Sequence, residues 1–415
     1  MRNPSFLVFF FALVAAAEWY GYQAFRTAFA SSEPGSRRLV AGLYWGVSVL
    51  VWVLGIWAMR NRQEHPSFKS YLGGVLLAVL AAKIVILIPL LLEDLTRLAR
   101  WAFQSGTRTA GTPSGAGISR SEFLSKAALV LGAIPFVSLL WGMAKGGTDY
   151  TVRRVTLRFP NLPASFDGFK LLQISDLHTG SFHSKEPLQR AVQLINEQQA
   201  DQIFMTGDLV NNYATEVEEH IDTLAGIQSK LPIYSILGNH DYGDYVPEFK
   251  EDRSLWNANL ARLKQNHAKI GWELLLDEAR TVERNGEKIV ILGVQNWGAR
   301  MGFPKYGQLA KAHAAADANA PFKILLSHDP SHWEGEVQQY EDIDLMLAGH
   351  THGMQFGVNL SWLKWSPVQY AYKQWAGLYQ RGKQYLYVNA GLGFIGYHGR
   401  VGFLPEITVF ELRRG

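Results

Sequence analysis

The chain has 415 residues, too many for one ordinary domain, and its 48% hydrophobic and 18% charged content excludes a wholly disordered polymer. The formal charge of +4 divides unevenly, with a net +7 over residues 1–150 and a net −3 over the remainder. Nucleic-acid binding is not expected, because the basic excess lies in the apolar third, and the absence of cysteine excludes disulfide frameworks, zinc fingers and thiolate nucleophiles.

Four apolar stretches come first in the chain. They are Phe6–Phe25, interrupted by Glu18; Leu39–Met59, 21 residues without a charge; Tyr71–Leu92, with Lys83 and Pro89; and Phe123–Met143, with Lys126 near its start. Each reaches the roughly 20 residues that a helix needs to cross a ~30 Å hydrocarbon core. Trp19, Tyr20, Tyr22, Tyr71, Trp101 and Trp141 cluster near their ends, as interfacial rings do. Residues 1–148 are therefore predicted to be an all-α region of about four transmembrane helices, with spans near 6–25, 39–59, 71–92 and 123–143. No small-x-small cleavage site marks the first, so it reads as a span rather than a signal peptide. Glu18 and Lys83 are polar positions inside spans and receive no function. Gly106–Gly117 reads as a flexible loop.

Arg and Lys flanking the spans number seven on each side, so charge asymmetry gives no orientation. The stretch Ser119-Arg120-Ser121-Glu122-Phe123-Leu124 resembles a twin-arginine export signal that lacks one arginine. That resemblance points to a bacterial cytoplasmic membrane with the polar domain on its outer side.

The second domain is predicted over 149–415, where Val152, Val155, Leu157 and Phe159 suggest an opening strand. Five short apolar runs follow, each delivering polar residues at its end. Lys170–Ser175 leads to Asp176-Leu177-His178, Gln202–Thr206 to Gly207-Asp208, and Ile233–Leu237 to Gly238-Asn239-His240-Asp241. Phe322–Ser327 leads to His328-Asp329, and Ile343–Ala348 to Gly349-His350-Thr351-His352. Helical patterns at 187–200 and 251–266 lie between them, so the architecture is α/β, in which ligands gather at the carboxyl ends of strands. Eleven of the twelve histidines fall after residue 150.

Carboxylate, imidazole and carboxamide donors without thiolate suit Mn²⁺, Fe, Zn²⁺ or Co²⁺. In Asp176-x-His178 and His350-x-His352, alternate residues of an extended strand would share a face and so could aim at one ion. Seven donors suffice for two metals about 3.5–4 Å apart with a shared carboxylate, an arrangement that activates water and clamps a phosphoryl group. A single Asp or His at a strand end is more often a turn residue than a ligand. The ordered set is what argues for metal.

That set, Asp176-x-His178, Gly207-Asp208, Gly238-Asn239-His240-Asp241, His328 and Gly349-His350-Thr351-His352, resembles the calcineurin-like metallophosphoesterase superfamily over residues ~169–411. The opening Ile174–His178, Gly349–Gln355 and the closing Tyr387–Gly393 are similar to a membrane-associated bacterial subgroup, which often has Gly where Met354 stands. The resemblance implies two stacked mixed β-sheets flanked by helices. It implies Asp176, His178, Asp208 and His352 around one divalent ion, and a bridging Asp208 with Asn239, His328 and His350 around a second. Mn²⁺ is the foremost candidate, with Fe, Zn²⁺ or Co²⁺ also suited. It further implies His240 as proton donor to the leaving oxygen, Asp241 behind it orienting the ring, and attack on phosphorus by a hydroxide held between the ions.

The reading is a membrane-anchored metallophosphoesterase that acts on phosphodiesters or phosphomonoesters, lipid-linked or of the cell envelope. A UDP-diacylglucosamine-type pyrophosphatase of lipid A synthesis and a catalytically silent metal-binding scaffold are the alternatives. Partners are the phosphate-ester substrate and the bilayer. His183 and Arg300 are candidate substrate contacts, and His332 and His398 read as structural or surface residues. Arg400, like Arg300 in a Gly-containing loop, could grip a phosphate, but a surface ion pair is the commoner fate. Trp362, Trp365, Tyr370, Tyr372 and Trp375 suit loop packing, an acyl groove or a bilayer surface equally.

Overall fold

A computed structural model describes residues 4–60, 66–103 and 119–415. The chain divides into two compact units, Met1–Met143 and Ala144–Gly415.

The first unit is helical: α1 Pro4–Ala28, α2 Pro34–Arg60, α3 Pro66–Phe103 and α4 Arg120–Ala144. Three of these begin on a proline, whose fixed φ and missing N–H suit a first turn. Among the described residues, Pro34–Ala58, Ser70–Phe103 and Arg120–Ala144 are long and apolar enough to cross a membrane. α3 runs beyond the predicted end at Leu92 because the following polar turns support themselves, with Arg97 and Glu93 paired at 2.7 Å. Small residues let the helices approach. A Cβ on Gly132 would lie 3.0 Å from the Ala82 carbonyl oxygen and 2.5 Å from Ile86 Cγ1. Leu39, Leu50, Val130 and Ile134 face outward, as lipid-facing side chains do. Glu18 and Lys83 pair. The Lys83 ammonium lies 2.6 and 2.7 Å from the two Glu18 oxygens and 3.0 Å from Ser48 Oγ, while Tyr44, Ser48 and Trp52 also donate to Glu18. The predicted loop Gly106–Gly117 lies outside the described residues.

The second unit holds fourteen strands. In chain order they are β1 Thr151–Phe159, β2 Lys170–Ile174, β3 Gln202–Met205, β4 Tyr234–Ser235, β5 Glu273–Leu274, β6 Glu278–Arg284 and β7 Glu287–Gly293. Then come β8 Lys323–Leu326, β9 Leu345–Ala348, β10 Val358–Asn359, β11 Lys364–Trp365, β12 Gly377–Arg381, β13 Gln384–Val388 and β14 Glu406–Arg414. One six-stranded sheet runs β1-β14-β2-β3-β4-β5 and the other β12-β13-β9-β8-β7-β6. Both are mixed. β2 through β5 run parallel while β14 opposes β2, and β7, β8, β9 and β13 run parallel with antiparallel edges.

Period-two burial stacks the sheets. Leu171, Phe204, Ile291, Ile324, Leu326, Leu345 and Leu347 fill the space between them with Phe159 and Phe410. Their sequence neighbours Leu172, Ile203 and Met205 face helices Glu186–Glu197 and Arg253–Ile270 on one outer side. Val290, Leu292, Leu325 and Met346 pack on the opposite outer side. The result is two stacked mixed sheets flanked by helices, as expected. β2, β3 and β4 of one sheet and β8 and β9 of the other all end where the predicted polar loops begin.

Candidate metal centre

The loops after these five strands converge. Asp176, His178 and His352 form one group and Asp208, His328 and His350 another, each with its ligand atoms within 4.8 Å of one another. Asp208 stands between the groups, its Oδ2 lying 3.1 Å from His328 Nε2 and 3.6 Å from His178 Nε2. His352 Nε2 sits 3.2 Å from Asp176 Oδ1 and 3.0 Å from His178 Nε2. Asn239 joins the second group through Oδ1, 2.7 Å from His350 Nδ1, while its amide nitrogen donates to Tyr245 Oη at 2.8 Å.

The convergence was expected, but its cause differs. β2 stops at Ile174, and Asp176 (φ 50°) and His178 (φ 48°) are left-handed rather than extended. Asp208 (φ 57°), His350 (φ 72°) and His352 (φ 52°) share that conformation. Each such residue costs roughly 1–2 kcal/mol. Hydrogen bonds hold the strained loops: Asp176 N to Gly207 O at 2.9 Å, His178 N to Asp208 O at 3.1 Å, and His350 N to Asp176 Oδ1 at 3.0 Å. His350 and His352 turn to different groups, so the expectation that an i, i+2 pair shares one ion does not hold for them.

The donor set fits divalent cations. His328 Nδ1 donates to the Thr206 carbonyl at 2.7 Å, which leaves its buried Nε2 without a hydrogen-bond partner and aimed at Asp208. This 3.1 Å approach to the Asp208 carboxylate calls for a positive charge, either a proton on Nε2 or a metal ion that replaces it. Burial disfavours protonation of His328, yet Asp208 and Asp176 overcome it and push the pKa up to about 10. Burial would raise the pKa of Asp176 and Asp208, but the facing histidines hold both below the usual carboxylate range. Burial lowers His178 to about 3 and lowers His350 and His352, so these rings are neutral donors. Neutral imidazoles around buried carboxylates form a cation site.

His240 lies beside the first group, its ring edge-on to His178 at 5.0 Å. Its Nδ1 donates to the Asn211 carbonyl at 2.7 Å, and its backbone N–H donates to Asp208 Oδ1 at 2.8 Å. Here the expectation for Asp241 needs correction. Its carboxylate accepts backbone N–H groups of Asp208, Leu209, Val210 and Gly238 at 2.8–3.2 Å, so it ties two site loops together while Asn211 orients the His240 ring. Burial and the neighbouring Asp208 push the Asp241 carboxyl up to about 7.

His183 lies outside both groups and stacks on His398 at 5.0 Å. Arg300 donates to the Ala371 carbonyl at 3.1 Å, next to Tyr372, whose hydroxyl meets His350 Nε2 at 2.9 Å. Arg400 is not a surface ion-pair residue. It is buried, giving its N–H groups to the carbonyls of Gly393, Ala390 and Phe403 and lying 3.0 Å from His352 Nδ1. Sequence reasoning missed Asn211 and Tyr245, placed Tyr372 only in an aromatic run, and gave no role to Asp329, which follows His328 and lies 3.6 Å from His350 Nε2.

Comparison with known proteins agrees with this geometry. Residues 169–354 match the family described as Calcineurin-like phosphoesterase, and residues 1–147 match "Probable Calcineurin-like phosphoesterase, transmembrane domain". The chain is 30% identical over 309 residues to the uncharacterized metallophosphoesterase YkuE of Bacillus subtilis, covering 71% of this chain and 98% of that one. It is 30% identical over 245 residues to phosphodiesterase YaeI of Escherichia coli, covering 59% and 82% respectively. A zebrafish (Danio rerio) transmembrane protein with metallophosphoesterase domain is 28% identical over 286 residues, 68% of this chain and 61% of its own length. The match therefore spans less than two thirds of that vertebrate relative. With both family matches, the paired metal-ligand groups and the apolar helices together, the chain belongs to the calcineurin-like metallophosphoesterases as a membrane protein.

Proposed function

We propose that the protein is a membrane-anchored phosphodiesterase or phosphomonoesterase that uses two divalent ions, Mn²⁺ foremost, on a lipid-linked or envelope phosphate. The observation that carries this reading is Asp208, a carboxylate of one three-residue ligand group that also lies 3.6 Å from His178 of the other. Ions bound there would acidify a shared water and draw charge from the phosphoryl oxygens. Asp176, His178 and His352 would hold one ion, and Asn239, His328 and His350 the other, with Asp208 common to both. His240 is assigned the proton for the leaving oxygen, since its Nδ1 is committed to Asn211 and Nε2 remains to carry it. Tyr245 and Tyr372 keep Asn239 and His350 from rotating away.

The Escherichia coli relative is named a phosphodiesterase, which favours the diester. Bacterial relatives and the Arg120–Leu124 start of α4 support a bacterial cytoplasmic membrane with the catalytic domain outside. The test is hydrolysis of bis(p-nitrophenyl) phosphate by the detergent-purified chain with Mn²⁺, beside Asp208→Asn. Metal-dependent turnover that Asp208→Asn abolishes supports the reading. A chain that binds no metal overturns it, and one that binds metal but hydrolyses no phosphate ester is the silent metal-binding scaffold.

A further inference from the structure

β10 and β11 form a hairpin that departs from the rule for tight turns. Its tip is Leu360-Ser361-Trp362-Leu363, closed by Leu360 N donating to Leu363 O at 2.9 Å. Such tips ordinarily carry Gly, Asn or Asp, which tolerate the backbone and face water. Here Trp362 is 79% exposed, with Leu360 and Leu363 exposed beside it. The hairpin lies between the ligand segment His350–His352 and Tyr372. Ser366 Oγ at one foot donates to the carbonyl of Gly353, the residue after His352, at 2.9 Å. Beyond that same foot the chain reaches Tyr372, which meets His350. Met354 and Tyr370 are exposed on these same flanking segments.

We propose that this tip is a membrane-docking finger that inserts Leu360, Trp362 and Leu363 into the headgroup–acyl boundary of a bilayer and so sets the metal centre at the lipid surface. The chemistry selects the occupant. An indole and two leucines at an exposed tip are what the bilayer interface takes up. Chain length supports it, since only six residues, 145–150, separate the end of α4 from β1. A tether of that length reaches at most ~20 Å, so the domain remains close to lipid. The inference deepens the lipid-linked substrate reading and rests on it for the substrate class alone.

The native chain has no cysteine, so a single introduced thiol reports without background. Full-length Ser361→Cys, labelled with an environment-sensitive nitrobenzoxadiazole dye, is placed in nanodiscs of phosphatidylcholine and phosphatidylglycerol. Lys383→Cys, at the exposed β12–β13 turn, is the control and Trp362→Cys the second tip position. The expected result is blue-shifted emission at both tip positions, quenched by lipids that carry a shallow nitroxide, with neither effect at residue 383. Water-like, unquenched emission at both tip positions overturns the proposal. A blue shift that appears in detergent and grows with protein concentration, without nitroxide quenching, assigns the tip to a second copy and also overturns it. Because the readout needs no turnover, a dry tip on an inactive chain would fault the phosphoesterase reading and leave the docking finger standing.

Discussion

Gly349 gives the sharpest test of the metal centre. It follows β9, and its φ is not positive, so alanine can adopt its backbone without strain. The obstacle is space. A Cβ there would lie 2.1 Å from Asp176 Oδ2 and 2.1 Å from Ser175 Oγ. Ordinary C···O contacts begin near ~3.3 Å, so the Asp176 carboxylate must retreat by about 1.2 Å. Metal–ligand distances tolerate roughly ±0.2 Å, several-fold less than that retreat. Gly349→Ala should therefore bind at most one divalent ion per chain, measured by elemental analysis after gel filtration in Mn²⁺. Its kcat/KM on bis(p-nitrophenyl) phosphate should fall about 100-fold or more, the scale of a 1 Å misplacement. Gly271→Ala is the matched control, because its φ of 89° is unfavourable for alanine while nothing lies within 4 Å. It should cost about 1–2 kcal/mol of stability and leave metal content unchanged. A Gly349→Ala protein that keeps two ions and near-native turnover would refute the assignment of Asp176 as a ligand.

Three further outcomes follow from the same geometry. His240→Ala removes the ring but keeps the backbone N–H that meets Asp208, so two ions should remain while the rate falls by about 10²–10⁴; loss of metal would show His240 to be a ligand instead. Lys83→Met strands the Glu18 carboxylate among Tyr44, Ser48 and Trp52, which should cost about 3–5 kcal/mol, read as a lower melting temperature in detergent. Adding Glu18→Met should restore most of it, and an unaltered single variant would dismiss the pair as a helix tie. His267 is buried against Ser235 Oγ at 3.0 Å, and burial lowers its pKa to about 4. The unfolded chain therefore takes up a proton near pH 6.5 that the folded chain refuses until about 4, so stability falls as pH drops through that window, by up to about 3 kcal/mol. Denaturant titrations of His267→Gln should show a shallower loss between pH 6.5 and 4, and parallel curves would count against it.

How far the sequence reveals this site depends on whether a residue acts through its own side chain near its own strand. Asp176, Asp208, Asn239, His328 and His350 each follow a short buried run, and strand ends in such sheets converge by topology, so type and order suffice. Conformation was invisible, because nothing in Leu177 or Thr351 announces that their neighbours turn left-handed; hydrogen bonds to Gly207, Asp208 and Asp176 impose it. Asp241 shows the same divide. Its type suggested a partner for His240, but its four contacts are backbone N–H groups that belong to no residue type. Asn211 escapes notice for the converse reason, acting through a carbonyl that every residue owns. Arg400 was misjudged because a lone arginine normally stays at the surface, whereas here carbonyls of Gly393, Ala390 and Phe403 take up its N–H groups. The metal donors are thus written in side chains, and the frame that aims them is written in the backbone. Substitutions of the glycines that frame, such as Gly349, should therefore damage the site as surely as loss of a ligand.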